Sequence, residues 1–463
     1  MKSLPLGTIS SLAGGKLVSG QEERHALRVS TDTRSLQPGD LFIALRGENF
    51  DGHNFIEQAI QKGAVGALVE QVPSSLAVPA GFGFIEVDDV LAGLQRLAKN
   101  YRETLKAKIV AITGSNGKTS TKEFVAAVLS SRFKTHRTTG NLNNHIGVPL
   151  TVLGIDDSHE YAVVEMGMNH PGELEPLTAI ARPDFGIITN VGWAHIEAFD
   201  NREGIAREKA RVIECLPRNG LAILGDDSQL TFALRSLTKA RVVVVGTHEG
   251  CQYRIEPKEF LPETTRFLFA GHEMSLPLAG WHMAKNASLA AALGAELGFP
   301  PEQIASALAA VHLPGKRLAV KKFRKGYLLD DTYNASPDSM LAAFQTLVKF
   351  PGKGRNVALL GSMGELGRHA AQLHREIGAA AVREGFGLLL AYGPNAADII
   401  EGANGEGLDK TQSGIFTDHA ALTASYWQQA RADDRILVKG SRSQKMECVV
   451  QELERLETTC CIS

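Results

Sequence analysis

The stretch Lys108-Ile109-Val110-Ala111-Ile112-Thr113 runs directly into Gly114-Ser115-Asn116-Gly117-Lys118-Thr119-Ser120. The first part is a short, continuous apolar run, typical of a strand buried on both faces of a parallel sheet. The second part is a glycine loop at the start of a predicted helix. Glycines let backbone N–H groups point at phosphate oxygens, and the helix N-terminus adds partial positive charge. The sequence therefore predicts that this loop binds the phosphates of a nucleotide.

The side chains of this loop fit the same chemistry. Lys118 can reach the β- and γ-phosphates, and the Thr119 hydroxyl suits Mg²⁺. The spacing departs from the usual motif, since its first glycine would fall at Ile112 and the loop glycine is instead Gly114. A glycine-rich turn with a surface lysine is the alternative, but the preceding strand and following helix favour nucleotide binding. The predicted phosphate-binding residues are Gly114, Ser115, Asn116, Gly117, Lys118, Thr119 and Ser120.

Working outward from this loop, short apolar runs alternate with amphipathic segments along the whole chain, which predicts an α/β protein. With 463 residues, the chain has room for about three domains. Residues 1–106 are predicted to form a smaller N-terminal α/β domain. Residues 107–313 form the central phosphate-loop domain with a mostly parallel sheet and flanking helices. Residues 314–463 form a Rossmann-like, doubly wound domain.

Composition narrows the functional classes. The formal net charge of −2 gives no field that would attract nucleic acid or a membrane surface. No apolar run approaches the length of a membrane span, so no membrane insertion is expected. The five cysteines include no C-x-x-C pair, which favours a reducing cytoplasm over a disulfide framework or zinc site. We expect a cytoplasmic monomer.

Three further polar residues stand out beyond the loop. Glu165 ends a buried apolar strand, where a carboxylate needs a partner and could serve Mg²⁺. A capping role at the turn is the alternative. His195 follows another strand end on the same edge and is a candidate metal ligand, although such a histidine is more often structural. Lys209 lies on a helix with Arg207, Glu208 and Arg211, and composition alone favours a solvated charged face there.

In chain order, the phosphate loop, Glu165-Met166-Gly167 and Thr189-Asn190-Val191-Gly192-x-Ala194-His195 resemble the Mur ligases of peptidoglycan synthesis. The resemblance covers essentially the whole chain. Residues 30–34 resemble the part that holds the UDP group, and residues 141–149 the loop that faces the muramoyl peptide. Residues 330–339 and 438–443 are similar to the members that add D-alanyl-D-alanine.

The resemblance implies an ATP-dependent ligase with two Mg²⁺ sites that joins D-alanyl-D-alanine to UDP-MurNAc-tripeptide through an acyl phosphate. By this resemblance Lys118, His195 and Lys209 are catalytic. Thr119 and Glu165 hold one Mg²⁺, and His195 and Lys209 belong to the second site. Lys209 would act there as a carbamate, which reverses the interpretation from composition. Nucleotide contacts are implied for Asn286, Arg317 and Asp331, and substrate contacts for Ser30, Asp32, Thr33, Arg34, Asn141, Asn143, Asn144 and His145.

Some alternatives stay open at this stage. Met283 stands where the family often has asparagine, and Asp331 is preferred over its neighbour Asp330 for the ribose. Rivals within the ligases are the tripeptide-forming Mur ligase and folylpolyglutamate synthase, and residues 30–34 argue against the folate enzyme. A phosphate-loop NTPase switch or motor is the rival from another class. The glycines of residues 361–367 do not match the spacing of a dinucleotide-binding fingerprint.

Overall fold

The computed structural model describes residues 1–73, 76–225, 229–313 and 318–462. Three main sheets follow one another along these residues, and helices cover their faces. This is the three-domain α/β architecture that the sequence predicts. The predicted domain boundaries remain predictions, since one of them falls at residues 313/314, where the described part of the chain is interrupted.

The N-terminal sheet is five-stranded within the described residues and is parallel except for one edge pair. In spatial order its strands are Lys16–Ser19, Gly83–Glu86, Gly66–Val69, Asp40–Ile43 and Arg28–Ser30. Its helices are Leu6–Ala13, Ile56–Gln61 and Val90–Arg102.

The central sheet has nine strands in the part of the chain that the structure describes. In spatial order they are Thr135–Arg137, Tyr161–Glu165, Lys108–Thr113, Phe185–Ile188, Leu221–Gly225, Arg241–Gly246, Tyr253–Leu261, Thr264–Phe269 and His272–Leu276. The first seven are parallel, and the last two add an antiparallel extension that sequence analysis did not predict. Flanking helices are Lys118–Ser130, Gly147–Leu153, Leu174–Ala181, Arg202–Glu214, Gln229–Ala233, Trp281–Glu296 and Pro301–Ala309.

The third sheet has six strands between residues 318 and 462, parallel except for its first pair. In spatial order they are Ala319–Phe323, Gly326–Asp331, Arg435–Lys439, Asn356–Gly361, Phe386–Tyr392 and Ser413–Phe416. Its helices are Pro337–Leu347, Ala370–Arg383, Ala396–Gly405, His419–Gln428 and Glu447–Ile462.

The strand register of the central sheet places the predicted site residues at one edge of the sheet. Ile112 pairs with Glu165, and Thr113 pairs with Ile188, in parallel ladders. The phosphate loop, Glu165 and the chain leading to His195 therefore leave the sheet at one edge, as parallel strands require. No helix within the described residues has both the length and the apolar content needed to cross a bilayer.

The N-terminal and central domains share a continuous apolar core. Helix Val90–Arg102 packs against helices Gly147–Leu153 and Leu174–Ala181 of the central domain. The phenol of Tyr101 is buried at this junction. Its hydroxyl donates to Ile155 O at 2.6 Å and accepts from Lys2 N at 2.8 Å, and burial raises the pKa of Tyr101 to about 12.

The Tyr101→Phe substitution should lower the free energy of unfolding by about 1–3 kcal/mol, because it leaves the buried Ile155 carbonyl and the part-buried Lys2 N–H without their partner. Urea unfolding followed by tryptophan fluorescence measures this. Tyr327→Phe is the control, because the Tyr327 hydroxyl meets the exposed ammonium of Lys322 and should contribute less than about 0.5 kcal/mol. Equal losses in the two variants would contradict the assigned role of Tyr101.

Candidate active site

The phosphate loop lies between strand Lys108–Thr113 and helix Lys118–Ser130. Gly117 is at the helix N-cap with a φ of 80°, a region that favours glycine. A Cβ atom there would lie 2.4 Å from Asn286 Oδ1, so glycine also allows Asn286 to approach the loop. Lys118 Nζ donates to Gly114 O at 2.8 Å. All seven predicted phosphate-loop residues except Gly114 line one large cavity.

This cavity has a volume of about 1320 Å³ and lies between the central and third domains. The predicted residues Lys118, Thr119, Glu165, His195, Asn286 and Asp331 all line it, so the structure brings them together. Of the predicted peptide-facing residues, Asn141, Asn143 and Asn144 line it as well, and the exposed side chain of His145 does not. Met283 is buried in its wall.

Glu165 is a buried carboxylate at the end of its strand. Its Oε1 accepts from Asn143 Nδ2 at 2.8 Å and from Thr119 Oγ1 at 3.3 Å. Its Oε2 lies 3.7 Å from Lys122 Nζ and has no hydrogen-bond partner among the described residues. A buried carboxylate oxygen without a donor is costly, and a hard cation beside Thr119 would satisfy it. The residues therefore fit the implied Mg²⁺ site.

The position of Lys209 shows that the solvated charged face expected from helix composition is wrong. Its side chain is buried, as is that of Glu208, so this face of helix Arg202–Glu214 is not solvated. Burial is the main cause that lowers the pKa of Lys209 well below its usual value, and the nearby positive charge of Lys118 adds to this. No described residue offers its amine a hydrogen bond or an ion pair, and Lys209 lies outside the set that lines the cavity. A neutral amine is the form that burial favours.

His195 adopts a left-handed conformation with a φ of 66°, at the start of the short helix Ile196–Ala198. Its Nδ1 lies 2.6 Å from Glu365 Oε2, which belongs to the third domain. The close approach of the His195 imidazole is the main cause that lowers the pKa of Glu365.

The third domain contributes further residues that sequence reasoning missed. Asp338 Oδ2 accepts from Trp193 N at 2.9 Å, and Ser336 Oγ donates to Asn116 Oδ1 at 2.9 Å. A Cβ atom at Gly192 would lie 2.1 Å from Asp338 Oδ2, so this glycine allows the approach. The stretches containing these residues resemble the family, but nothing in their order along the chain indicates which side chains cross between domains.

Asp331 ends strand Gly326–Asp331 and forms an ion pair with Lys439. Asp330 is instead buried, and its Oδ1 accepts from the Thr332 hydroxyl at 2.6 Å within the same turn. Asp331 is therefore the member of the pair that faces the cavity. Arg317, the predicted phosphate-contacting arginine, lies outside the described residues.

The predicted UDP-contacting residues lie away from the large cavity, on the N-terminal domain. Asp32 and Arg34 form an exposed ion pair at 2.7 Å, and the side chain and backbone of Arg34 hold the pKa of Asp32 below its usual value. Thr33 Oγ1 donates to Gln58 Oε1 at 2.6 Å, and Ser30 Oγ donates to Asp32 O at 3.0 Å. Strand Arg28–Ser30 packs on helix Gly147–Leu153, which connects this surface to the loop of residues 141–146.

Together these features define a class of α/β protein. Its members hold nucleotide phosphates on a glycine loop of one domain, and a second α/β domain covers that loop. Three family models match the chain: "Mur ligase family, catalytic domain" at residues 26–102, "Mur ligase middle domain" at 112–294 and "Mur ligase, glutamate ligase domain" at 316–442. The chain belongs to the Mur ligase family.

Individual relatives agree with this assignment. UDP-N-acetylmuramoyl-tripeptide–D-alanyl-D-alanine ligase of Bacillus subtilis is 39% identical, with 96% of this chain and 97% of the relative covered. The Escherichia coli enzyme of the same name is 36% identical over 98% and 99%. A crystal structure of MurF from Acinetobacter baumannii superposes with a TM-score of 0.87, at 31% identity and 98% and 99% coverage.

Two other solved structures are informative. MurF ligase from Thermotoga maritima, crystallised in complex with ADP, superposes with a TM-score of 0.79 at 26% identity, covering 92% of this chain and 97% of that one. Folylpolyglutamate synthase of Mycobacterium tuberculosis, the family of one sequence-based rival, is 19% identical with a TM-score of 0.62 and covers 78% of this chain. That likeness concerns the fold alone.

The Lys209→Met substitution should leave the free energy of unfolding within about 1 kcal/mol of the native protein or raise it, because an apolar side chain avoids the cost of burying an amine. Since the folded-state pKa of Lys209 is lowered, the native protein should lose stability relative to the variant as the pH falls and the amine is protonated. Urea unfolding in CO₂-free buffer at several pH values measures both effects.

Lys122→Met is the matched control for this experiment. The Lys122 ammonium is also buried, but it is paired with Glu123 at 3.1 Å. Removing it leaves the buried Glu165 carboxylate without the ammonium that lies 3.7 Å from it, although Glu123 keeps its ion pair with Arg137, and should cost about 3 kcal/mol. A loss of that size in Lys209→Met would show that the Lys209 amine is charged and paired, and would contradict a neutral buried amine.

Proposed function

We propose that this protein joins D-alanyl-D-alanine to the terminal carboxylate of UDP-N-acetylmuramoyl-tripeptide, with ATP as the energy source, in peptidoglycan precursor synthesis. The full-length likeness to ligases of that name supports this reaction. The single observation in the structure that carries the proposal is the cavity where Lys118, Glu165 and His195 meet the third domain.

The reaction has two steps. The tripeptide carboxylate attacks the γ-phosphate of ATP, so that an acyl phosphate forms and ADP leaves. The amine of D-alanyl-D-alanine then attacks the activated carbonyl, an amide bond forms, and phosphate departs. The products are UDP-MurNAc-pentapeptide, ADP and phosphate.

Transfer of a phosphoryl group depends on positioning and on nearby positive charge. We assign Lys118 and the loop N–H groups to the phosphates, Asn286 and Asp331 to the nucleoside, and Arg317 to a phosphate contact. Thr119 and Glu165 would hold one Mg²⁺, and His195 and Lys209 would belong to a second site. Bound Mg²⁺ would offset negative charge on the phosphate oxygens.

Lys209 would serve Mg²⁺ only after modification, because a hard cation prefers oxygen ligands and an amine offers none. Burial lowers the pKa of Lys209 and so favours the neutral amine, which can add to CO₂. A C–N bond forms and one proton is released, which leaves a carbamate with oxygen ligands suited to a hard cation.

Two parts of the UDP-MurNAc-tripeptide would be held by different domains. We assign the UDP group to Ser30, Asp32, Thr33 and Arg34 on the N-terminal domain, and the peptide to the loop with Asn141, Asn143, Asn144 and His145. We place the domain boundaries at residues 106/107 and 313/314. The third domain contacts Asn116 of the phosphate loop through Ser336, and the backbone of Trp193 through Asp338. These contacts would keep water from the acyl phosphate.

Phosphate release from ATP tests the reaction. Release should require both the UDP-MurNAc-tripeptide and D-alanyl-D-alanine. Release without any amine would instead favour an ATPase.

Lys118→Ala should lower acyl-phosphate formation at least 100-fold, because it removes the positive charge that we assign to the phosphates. Trapping the acyl phosphate with hydroxylamine measures this step. The same variant should bind the UDP-substrate with unchanged affinity in isothermal titration, since the UDP contacts are assigned to another domain.

Arg34→Ala is the reciprocal control. It should weaken UDP-substrate binding while leaving affinity for a non-hydrolysable ATP analogue unchanged. Loss of UDP-substrate binding in Lys118→Ala would contradict the division of substrates between the domains.

A further inference from the structure

The phosphate loop is hydrogen-bonded along one side to residues 189–192, which follow the next parallel strand of the central sheet. Thr189 N donates to Thr113 O at 3.0 Å, and Ser115 N donates to Asn190 O at 3.1 Å. The parallel pairing of the two strands thus continues past their ends and into the loop. This continuation places the side chain of Asn190 against the loop backbone.

The side chain of Asn190 pairs with both backbone groups of Asn116. Its Oδ1 accepts from Asn116 N at 2.9 Å, and its Nδ2 donates to Asn116 O at 3.0 Å. The Thr189 hydroxyl donates to the same carbonyl oxygen at 2.6 Å. Gly114 allows this approach, because a Cβ atom there would lie 1.8 Å from Thr189 Oγ1. The Asn116 carbonyl is therefore held by two donors from the neighbouring stretch.

The orientation of that carbonyl decides where the next amide points. A peptide unit is planar and trans, so the Gly117 N–H points away from the Asn116 carbonyl oxygen, and hence away from Asn190 and Thr189. Gly117 has a φ of 80° and a ψ of −3°, and glycine adopts the opposite sign of φ about as readily. Rotation of the peptide between Asn116 and Gly117 would turn the carbonyl oxygen to the side that the N–H now faces. The glycine alone therefore does not fix the direction of this amide.

The direction of the Gly117 amide matters for an anion. An N–H group attracts a phosphate oxygen, whereas a carbonyl oxygen in the same place repels it. Gly117 and Asn190 both line the large cavity. Thr121 N donates to Gly117 O at 2.8 Å at the start of helix Lys118–Ser130, so the Gly117 amide lies at the helix end where amides are available to an anion.

We propose that Asn190 is a positioning residue, which orients the peptide between Asn116 and Gly117 so that the Gly117 N–H is presented to a phosphate of the bound nucleotide. This rests on the proposed function, which places the ATP phosphates on the loop. Asn190 acts through the loop backbone, because both polar atoms of its side chain bond to Asn116. Thr189 supports the same orientation through the Asn116 carbonyl.

Selective isotope labelling observes this amide directly. The chain contains three Asn-Gly pairs, at residues 116–117, 219–220 and 404–405. Protein with ¹³C-carbonyl asparagine and ¹⁵N-glycine therefore gives one amide signal for each pair in a carbonyl-filtered NMR spectrum. In the native protein, a non-hydrolysable ATP analogue should move the Gly117 amide proton downfield and leave the other two signals in place. In Asn190→Ala, saturating analogue should no longer produce this shift.

Isothermal titration measures the consequence for binding. Asn190→Ala should weaken binding of the ATP analogue about 10- to 100-fold, because a hydrogen bond to a charged group is lost. Its affinities for adenosine and for the UDP-substrate should be unchanged, since neither places a phosphate on this loop. Thr189→Val is nearly isosteric and removes one of the two donors to the Asn116 carbonyl, so it should weaken analogue binding by less.

Asn201→Ala is the matched control, because it removes the same type of side chain from the same domain without contacting the loop. Asn201 Oδ1 accepts from Gly204 N at 2.9 Å and caps helix Arg202–Glu214, so this variant should lose stability but keep the analogue affinity and the Gly117 shift. Unchanged analogue affinity in Asn190→Ala, or an equal loss for adenosine or in Asn201→Ala, would overturn the proposal, as would a Gly117 signal that nucleotide does not move in the native protein. Native protein that shows the shift but releases no phosphate with both substrates would instead contradict the proposed function.

Discussion

The buried carboxylate of Glu165 is the constraint on which the site depends. Parallel pairing of Tyr161–Glu165 with Lys108–Thr113 fixes this charge beside the glycine loop, at the edge of the sheet. Asn143 and Thr119 satisfy one oxygen, and the other has no donor among the described residues. The Lys122 ammonium lies 3.7 Å from that second oxygen, beyond hydrogen-bond distance, so the buried carboxylate could still accept a cation at closer range. The sheet itself thus fixes the carboxylate that is proposed to hold Mg²⁺ beside the phosphate loop.

The third domain adds further contacts to this site. Its contacts with the central domain include hydrogen bonds to the loop residue Asn116 and to the backbone of Trp193, and the carboxylate of Glu365 on His195. Each depends on geometry more than on net charge, so each is made only within a narrow range of domain positions. The residues of the central domain that are proposed to bind nucleotide and metal are thereby linked to where the third domain lies.

Sequence alone predicted the fold class, the alternation of strands and helices, and the convergence of Lys118, Glu165 and His195, because these follow from local periodicity and parallel-sheet geometry. The burial of Lys209 could not be predicted from the sequence, because charged neighbours on a helix do not reveal which face packs inward. The partners Ser336, Asp338 and Glu365 were also missed, because they act across a domain interface. The antiparallel strands Thr264–Phe269 and His272–Leu276 lacked the apolar runs of the parallel ones.

Those two antiparallel strands have a consequence for how the molecule behaves among its neighbours. A parallel sheet that stopped at Tyr253–Leu261 would expose a row of unpaired amides able to recruit strands from other chains. The two antiparallel strands instead end the sheet on His272–Leu276, whose first residues, His272 and Glu273, are exposed and polar. Polar side chains at such a margin discourage edge-to-edge aggregation, which protects a long, slowly assembled parallel sheet while the chain is folding.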